Sequence, residues 1–114
     1  MQSKEVVCEA CQPEAQKASE KTIESFLNQY STWSLIIDQD VQKLCKSFTF
    51  KNFVEAQAFT NIVGEMAEKE GHHPSITLEY GRVTVKWWSH KIMGLHDDDI
   101  NLSIKTDTLF EGLA

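Results

Sequence analysis

Residues 52–74 read Asn-Phe-Val-Glu-Ala-Gln-Ala-Phe-Thr-Asn-Ile-Val-Gly-Glu-Met-Ala-Glu-Lys-Glu-Gly-His-His-Pro. Phe59, Ile62, Val63, Met66 and Ala67 recur at three- and four-residue spacing, and Ala56 extends the stripe backwards. Such a pattern predicts an amphipathic helix. Asn52 and Glu55 form a start resembling a capping box, with an amide in place of the usual hydroxyl. Gly71 reads as the residue that ends the helix, and Pro74 prevents its resumption. Gly64 weakens the helix interior by up to about 1 kcal/mol relative to alanine and is read as a point of close packing. The fold follows from what lies on either side of this helix.

Upstream, Ser19 is the expected N-cap of a first helix whose apolar stripe is Ile23, Phe26, Leu27 and Tyr30. Residues 33–38, Trp-Ser-Leu-Ile-Ile-Asp, are aromatic and β-branched enough for a strand. A turn at Asp38-Gln39-Asp40 leads to a second strand that runs to about Phe50. Leu44, Phe48 and Phe50 share one face of it, and Lys46 interrupts that face. Downstream, Ile76, Leu78 and Tyr80 alternate, Gly81 turns the chain, and Val83, Val85 and Trp87 form one face of a return strand. Thr84, Lys86, Trp88 and His90 then take the opposite face, with His90 at the strand's end. Gly94 breaks the pattern. Asp97, Asp98 and Asp99 place negative charge at the start of a last helix, where its dipole favours it, and His96 reads as the residue at its start. That helix buries some set of Ile100, Leu102, Ile104, Leu109 and Phe110.

The order is helix, two strands, helix, two strands, helix. Two hairpins separated by a crossover helix predict an α+β fold, α-β-β-α-β-β-α, as a two-layer sandwich. It has a four-stranded antiparallel sheet with the helices packed on one face. At 114 residues the chain makes one domain, spanning residues 1–114. Residues 1–18, lacking periodicity and containing Pro13, read as a loosely packed lead-in. Trp88, expected to be exposed, and the open sheet face or edge favour pairing between subunits.

Composition excludes several classes of function. Hydrophobic residues make up 41% and charged residues 25%, an ordinary globular balance that argues against disorder. A net charge of −6 offers no basic field for a phosphate backbone, so direct nucleic-acid binding is not expected. No apolar run approaches the length of a membrane span, and the N-terminus lacks the pattern of a signal peptide. A cytoplasmic, reducing location follows as the expectation. Cys8 and Cys11 form a lone CxxC pair, too few donors for a structural metal site, and no metal is expected. Cys45 lies in the second strand.

Three of the four histidines, His72, His73 and His90, sit in the helix terminus and the second hairpin. The C-terminal end of a helix favours imidazolium, and Glu68 lies four residues before His72, near enough to add to this. Such groups suit general acid–base work. Adjacent histidines point in different directions, unlike the paired ligands of HExxH, which argues against a metal centre. On the residues alone, a proton-transfer site and a set of loop and cap residues account for them equally well.

Several spacings carry a resemblance: Glu70-Gly71-His72-His73-Pro74, then Tyr80-Gly81-Arg82-Val83, then Ser89-His90 and Gly94-Leu95. Asp99 and the run Phe50-Lys51-Asn52-Phe53 add to them. With the pattern HHP-x5-Y-x9-H they resemble the pterin-4a-carbinolamine dehydratases from about Trp33 to the C-terminus. Cys8-Glu9-Ala10-Cys11 looks like bacterial members in particular. The resemblance implies the same fold, a homodimer or homotetramer, and a dehydration that needs no cofactor. The implied substrate is 4a-hydroxytetrahydrobiopterin or another 4a-hydroxytetrahydropterin, left by an aromatic amino acid hydroxylase and converted to quinonoid dihydropterin in tetrahydrobiopterin recycling. It implies catalytic roles for His72, His73 and His90. His72 and His90 would exchange protons, and His73 would bind and orient the pterin. Glu68 would hold an imidazole in one tautomer, and Gly71, Trp88 and Ser89 would line the substrate. Animal relatives also serve as dimerisation cofactors of a homeodomain transcription factor, so an interaction role through oligomer surfaces is the alternative, as is action on another pterin. This chain departs from the family pattern at Ile76, at Gly71, at the bulky Trp87-Trp88 pair, and at His96, where a serine or threonine commonly caps the last helix.

Overall fold

A computed structural model describes residues 15–113 of the chain. The Cys8–Cys11 pair and most of the expected lead-in lie outside the described residues. The elements are α1 (Glu20–Gln29), β1 (Ser34–Asp38), β2 (Val41–Thr49), α2 (Phe53–Glu70), β3 (Ser75–Glu79), β4 (Arg82–Trp87) and α3 (Asp97–Glu111). This is the expected α-β-β-α-β-β-α order. The four strands form one sheet in the order β1-β2-β4-β3, with every neighbouring pair antiparallel.

Register explains the layering. Leu44 pairs with Trp87 and Phe48 with Val83, and these side chains are buried together with Val85. Phe59, Val63 and Ala67 of α2, Ile23 and Phe26 of α1, and Ile100 and Leu102 of α3 complete the core. Most alternate residues of the same strands face the other way and are polar, as in the Ser47–Thr84 hydroxyl pair. Period-2 alternation therefore puts the three helices on one face of the sheet.

Each hairpin turns for a local reason. Between β1 and β2, Gln39 and Asp40 both have positive φ (55° and 65°), as a two-residue turn matched to strand twist requires. Between β3 and β4, Gly81 has no positive φ. It is needed because a Cβ there would lie 2.9 Å from the Phe50 carbonyl oxygen. Space rather than backbone freedom selects that glycine.

Three expectations are corrected. Trp33 precedes β1 instead of opening it, and is buried with its indole N–H donating to Asp107 at 3.0 Å. β4 ends at Trp87, so His90 is not its last residue. Residues 90–93 form a turn, closed by a bridge between Ser89 and Gly94. Gly64 is not a close-packing point, because a Cβ built there meets nothing within 4 Å. Gly64→Ala is therefore expected to raise stability by about 1 kcal/mol, the helix-propensity difference with no clash to offset it. Urea denaturation would detect this as a higher midpoint at unchanged slope, and a lower midpoint would contradict it.

Of the expected lead-in, the last residues are anchored. Ala18 is partly buried and donates to the Leu95 carbonyl at 2.7 Å. Ser19 caps α1 by accepting from the Thr22 amide.

Candidate active site

The end of α2 aims the first histidine inward. Gly71 adopts the left-handed conformation (φ 68°). The His72 amide bonds the Ala67 carbonyl and the Gly71 amide that of Glu68, each at 3.2 Å. These are the paired bonds of a Schellman terminus, which closes the helix and reverses the chain. The reversal sends His72 into the protein, with only 2% of it exposed. The next side chain, His73, points outward and keeps 62% exposure.

His72 Nε2 lies 2.9 Å from Asp99 Oδ1 and 3.2 Å from the Trp88 carbonyl oxygen. Both partners are acceptors, so Nε2 carries the hydrogen. Asp99 is fully buried. Its other oxygen, Oδ2, accepts from the Ser89 hydroxyl at 2.6 Å and the His96 amide at 2.9 Å. Each oxygen of this enclosed side chain therefore has a hydrogen-bond partner, as a buried polar group needs.

The placement of Asp99 comes from the cap of α3. His96 is the N-cap; its Nδ1 accepts from the Asp98 amide at 3.0 Å, while the Asp99 side chain returns to the His96 amide. This is a capping box built from histidine and aspartate in place of hydroxyl and glutamate. Of the three consecutive aspartates, it selects Asp99 to face inward.

The same preference for one nitrogen recurs at the other two histidines. His73 Nε2 meets Glu68 Oε1 at 2.8 Å, and His90 Nε2 donates to the His73 carbonyl at 3.2 Å. All three imidazoles thus rest on an oxygen acceptor through Nε2. His90 also stacks on Trp88, with ring centroids 4.5 Å apart and planes 28° from parallel.

The structure therefore brings His72, His73 and His90 to one junction, between the end of α2 and the turn after β4. Glu68 is there too, but it holds His73 and not His72. Gly71 serves as the helix terminus. Ser89 is buried with its hydroxyl on Asp99. Trp88, expected to be exposed, is partly buried, with the Lys43 ammonium 3.9 Å from its ring centroid. Sequence reasoning missed the role of Asp99, which it read as charge for the helix dipole. A usable signal was the interval from His96 to Asp99, which is that of an N-cap and its N3 partner.

Among the described residues, no group of three or more His, Cys, Asp and Glu side chains could hold a metal ion, and no helix is long and apolar enough to cross a membrane. Cys45 is not activated as a nucleophile, since burial pushes its thiol up despite the opposing pull of Lys86.

A family model described as pterin 4 alpha carbinolamine dehydratase matches residues 16–109, which span the whole arrangement from α1 to α3. The chain belongs to that family. Its members are hydro-lyases, so the chain is an enzyme of that class. A relative from Marinobacter nauticus is 47% identical over 103 residues, covering 90% of this chain and 93% of its own. One from Nitrosococcus oceani is 50% identical over 104 residues, covering 91% and 92%. Both are named, provisionally, pterin-4-alpha-carbinolamine dehydratases. Among solved structures, a transcriptional coactivator/pterin dehydratase from Brucella melitensis superposes with a TM-score of 0.74 at 26% identity. That match covers 82% of this chain and 98% of the other.

Proposed function

We propose that this dehydratase removes water from 4a-hydroxytetrahydrobiopterin, or a closely related 4a-hydroxytetrahydropterin, with His72, His73 and His90 supplying the site. One observation carries the reading: three imidazoles converge on one junction, each oriented by an oxygen acceptor at Nε2. Two of them are paired with carboxylates.

The reaction asks for this equipment. The C4a–O bond breaks as an imidazolium protonates the departing hydroxyl, and a neutral imidazole takes the proton from N5. A C4a=N5 double bond forms, giving water and quinonoid dihydropterin, and no electrons leave the substrate. His72 and His90 exchange the protons in this scheme, while the exposed His73, steadied by Glu68, binds and orients the pterin. Asp99 holds the His72 ring in place and keeps its hydrogen on Nε2. Formation of the substrate by an aromatic amino acid hydroxylase and a cytoplasmic setting go with this reading. So does a dimer or tetramer.

The test is the decay of freshly generated 4a-hydroxytetrahydropterin. Wild-type protein should accelerate it, and His72→Ala or His90→Ala should remove most of the gain. Equal decay with wild type, variants and buffer would reject the assignment.

The Brucella melitensis neighbour's description couples dehydratase and coactivator, which gives a second reading for this chain some standing. Edge strand β1 exposes Leu35 and Ile37, the latter 71% exposed. β2 separates this strand from β4, and His90 lies in the turn after β4. Binding of a protein partner there would persist in the histidine variants.

A further inference from the structure

Lysine is rarely buried without partners, yet Lys43 is only 4% exposed. It alternates with the core residue Leu44 along β2 and so lies on the sheet face away from the helices. Its ammonium meets the Asp38 carboxylate at 3.1 Å and sits 3.9 Å from the Trp88 ring centroid. The ammonium bonded to Asp38 holds that carboxyl below its ordinary value. Trp88 forms a roof over this cation, and the same indole stacks on His90. His90 belongs to a turn and is exposed. Two contacts hold its imidazole: the Trp88 stack, and the hydrogen bond from Nε2 to the His73 carbonyl.

We propose that Lys43 and Trp88 are positioning residues for His90, the buried ammonium fixing the indole and the indole fixing the plane of the imidazole. A histidine in an exposed turn samples several rotamers, and each off-axis rotamer misdirects the nitrogen that must meet the substrate. Stacking on an aromatic plane removes that freedom only if the plane itself is fixed. The cation supplies the fixing, because a desolvated ammonium against an indole face is among the stronger cation–π arrangements. The arrangement also bears on the expectation that Trp88 lines the substrate. With an ammonium and an imidazole both against its ring, the indole acts on the substrate through His90.

The inference rests on the reading of His90 as a proton-transfer group, and its test separates the two. Lys43→Met keeps the length and apolar stem of the side chain. Asp38, itself partly exposed, retains Lys86 at 3.5 Å, so the fold should persist. The expected result is a kcat lower by about 10-fold with KM unchanged. The ring-current-shifted His90 proton resonances should also move toward those of Trp88→Leu. Lys43→Arg, which keeps the cation over the indole, should restore both. The double variant Lys43→Met/Trp88→Leu should be no worse than Trp88→Leu alone, because both act along one path. Unmoved His90 resonances in Lys43→Met would overturn the proposal, whatever the enzyme assay gives. A raised KM at unchanged kcat in Trp88→Leu would overturn it in favour of direct stacking on the pterin. Were the wild type inactive on the pterin, the functional reading alone would fall, and the resonances would still decide whether Lys43 sets His90.

Discussion

Asp99→Asn should leave the fold intact and lower the dehydration rate by about 10²- to 10⁴-fold, the range for misplacing one general acid–base group. The orientation of the new amide decides the outcome. Asp99 Oδ2 accepts two hydrogen bonds, from the Ser89 hydroxyl and the His96 amide. Both partners are donors, so the asparagine oxygen must take that position. Its NH2 group is then forced toward His72 Nε2, where Oδ1 stood at 2.9 Å. Two donors cannot share that contact. The Nε2 hydrogen then keeps only the Trp88 carbonyl, at 3.2 Å, as an acceptor, and the tautomer with the hydrogen on Nδ1, in which Nε2 accepts from the new amide, is favoured instead. The ring stays in place, but its hydrogen moves to the other nitrogen, as happens when the orienting carboxylate of a catalytic triad becomes an amide. Two measurements check it: kcat on 4a-hydroxytetrahydropterin, and the ¹⁵N shifts of His72, which should show Nε2 changing from protonated to unprotonated. A variant with the exchanged tautomer and full activity would show that His72 is not a proton-transfer group.

Asp99 already stood among the residues that resemble the family, yet its contact with His72 had to be found in the structure, which illustrates which information a single sequence carries. The α2 stripe, its Asn52 cap and its Gly71 terminus are local, determined within a few residues of themselves, and they stand as read. The alternation of Val83, Val85 and Trp87 is equally local, and it placed the sheet's buried face. His72, His73 and His90 could be grouped because a helix end and a hairpin return lie close in the chain. Contacts between distant elements were not readable in this way. Three adjacent aspartates look alike until the cap geometry turns one of them toward an imidazole 27 residues away in sequence. Glu68 could be placed near a histidine by counting back along the helix, but only the backbone reversal at Gly71 decides that its carboxylate meets His73. His90 was carried to the end of a strand by continuing a period of two, which the Ser89–Gly94 bridge interrupts. Lys46 is a further case. In the sequence it only spoils an apolar face.

Its partner is Asp107, at 2.6 Å, on α3, and breaking this pair should be the costliest single change outside the apolar core. Lys46 and Asp107 keep only 15% and 13% of their side-chain exposure. The ammonium lies 4.7 Å from the Phe48 ring centroid, and the second Asp107 oxygen accepts the buried Trp33 indole N–H at 3.0 Å. Asp107→Ala would leave a largely desolvated ammonium uncompensated and an indole N–H without its acceptor. The expected loss is about 3–4 kcal/mol, the cost of breaking one side of a buried ion pair. For a domain near this size that means a fall in Tm of more than about 10 °C. Lys46→Met combined with Asp107→Asn removes both charges while keeping an oxygen for Trp33. It should recover most of the loss, since a buried pair replaced as a unit costs little. Urea denaturation decides between this account and a solvated pair: a loss under about 1 kcal/mol for Asp107→Ala would mean the two charges act as surface ions do. Activity should respond differently from stability. Asp99 lies two turns earlier on the same helix, but α3 is also held to β4 by the Trp87 indole donating to Thr106 at 3.0 Å. Well below its lowered Tm, the Asp107→Ala enzyme should therefore retain a near-normal kcat, because the second anchor still keeps Asp99 against His72.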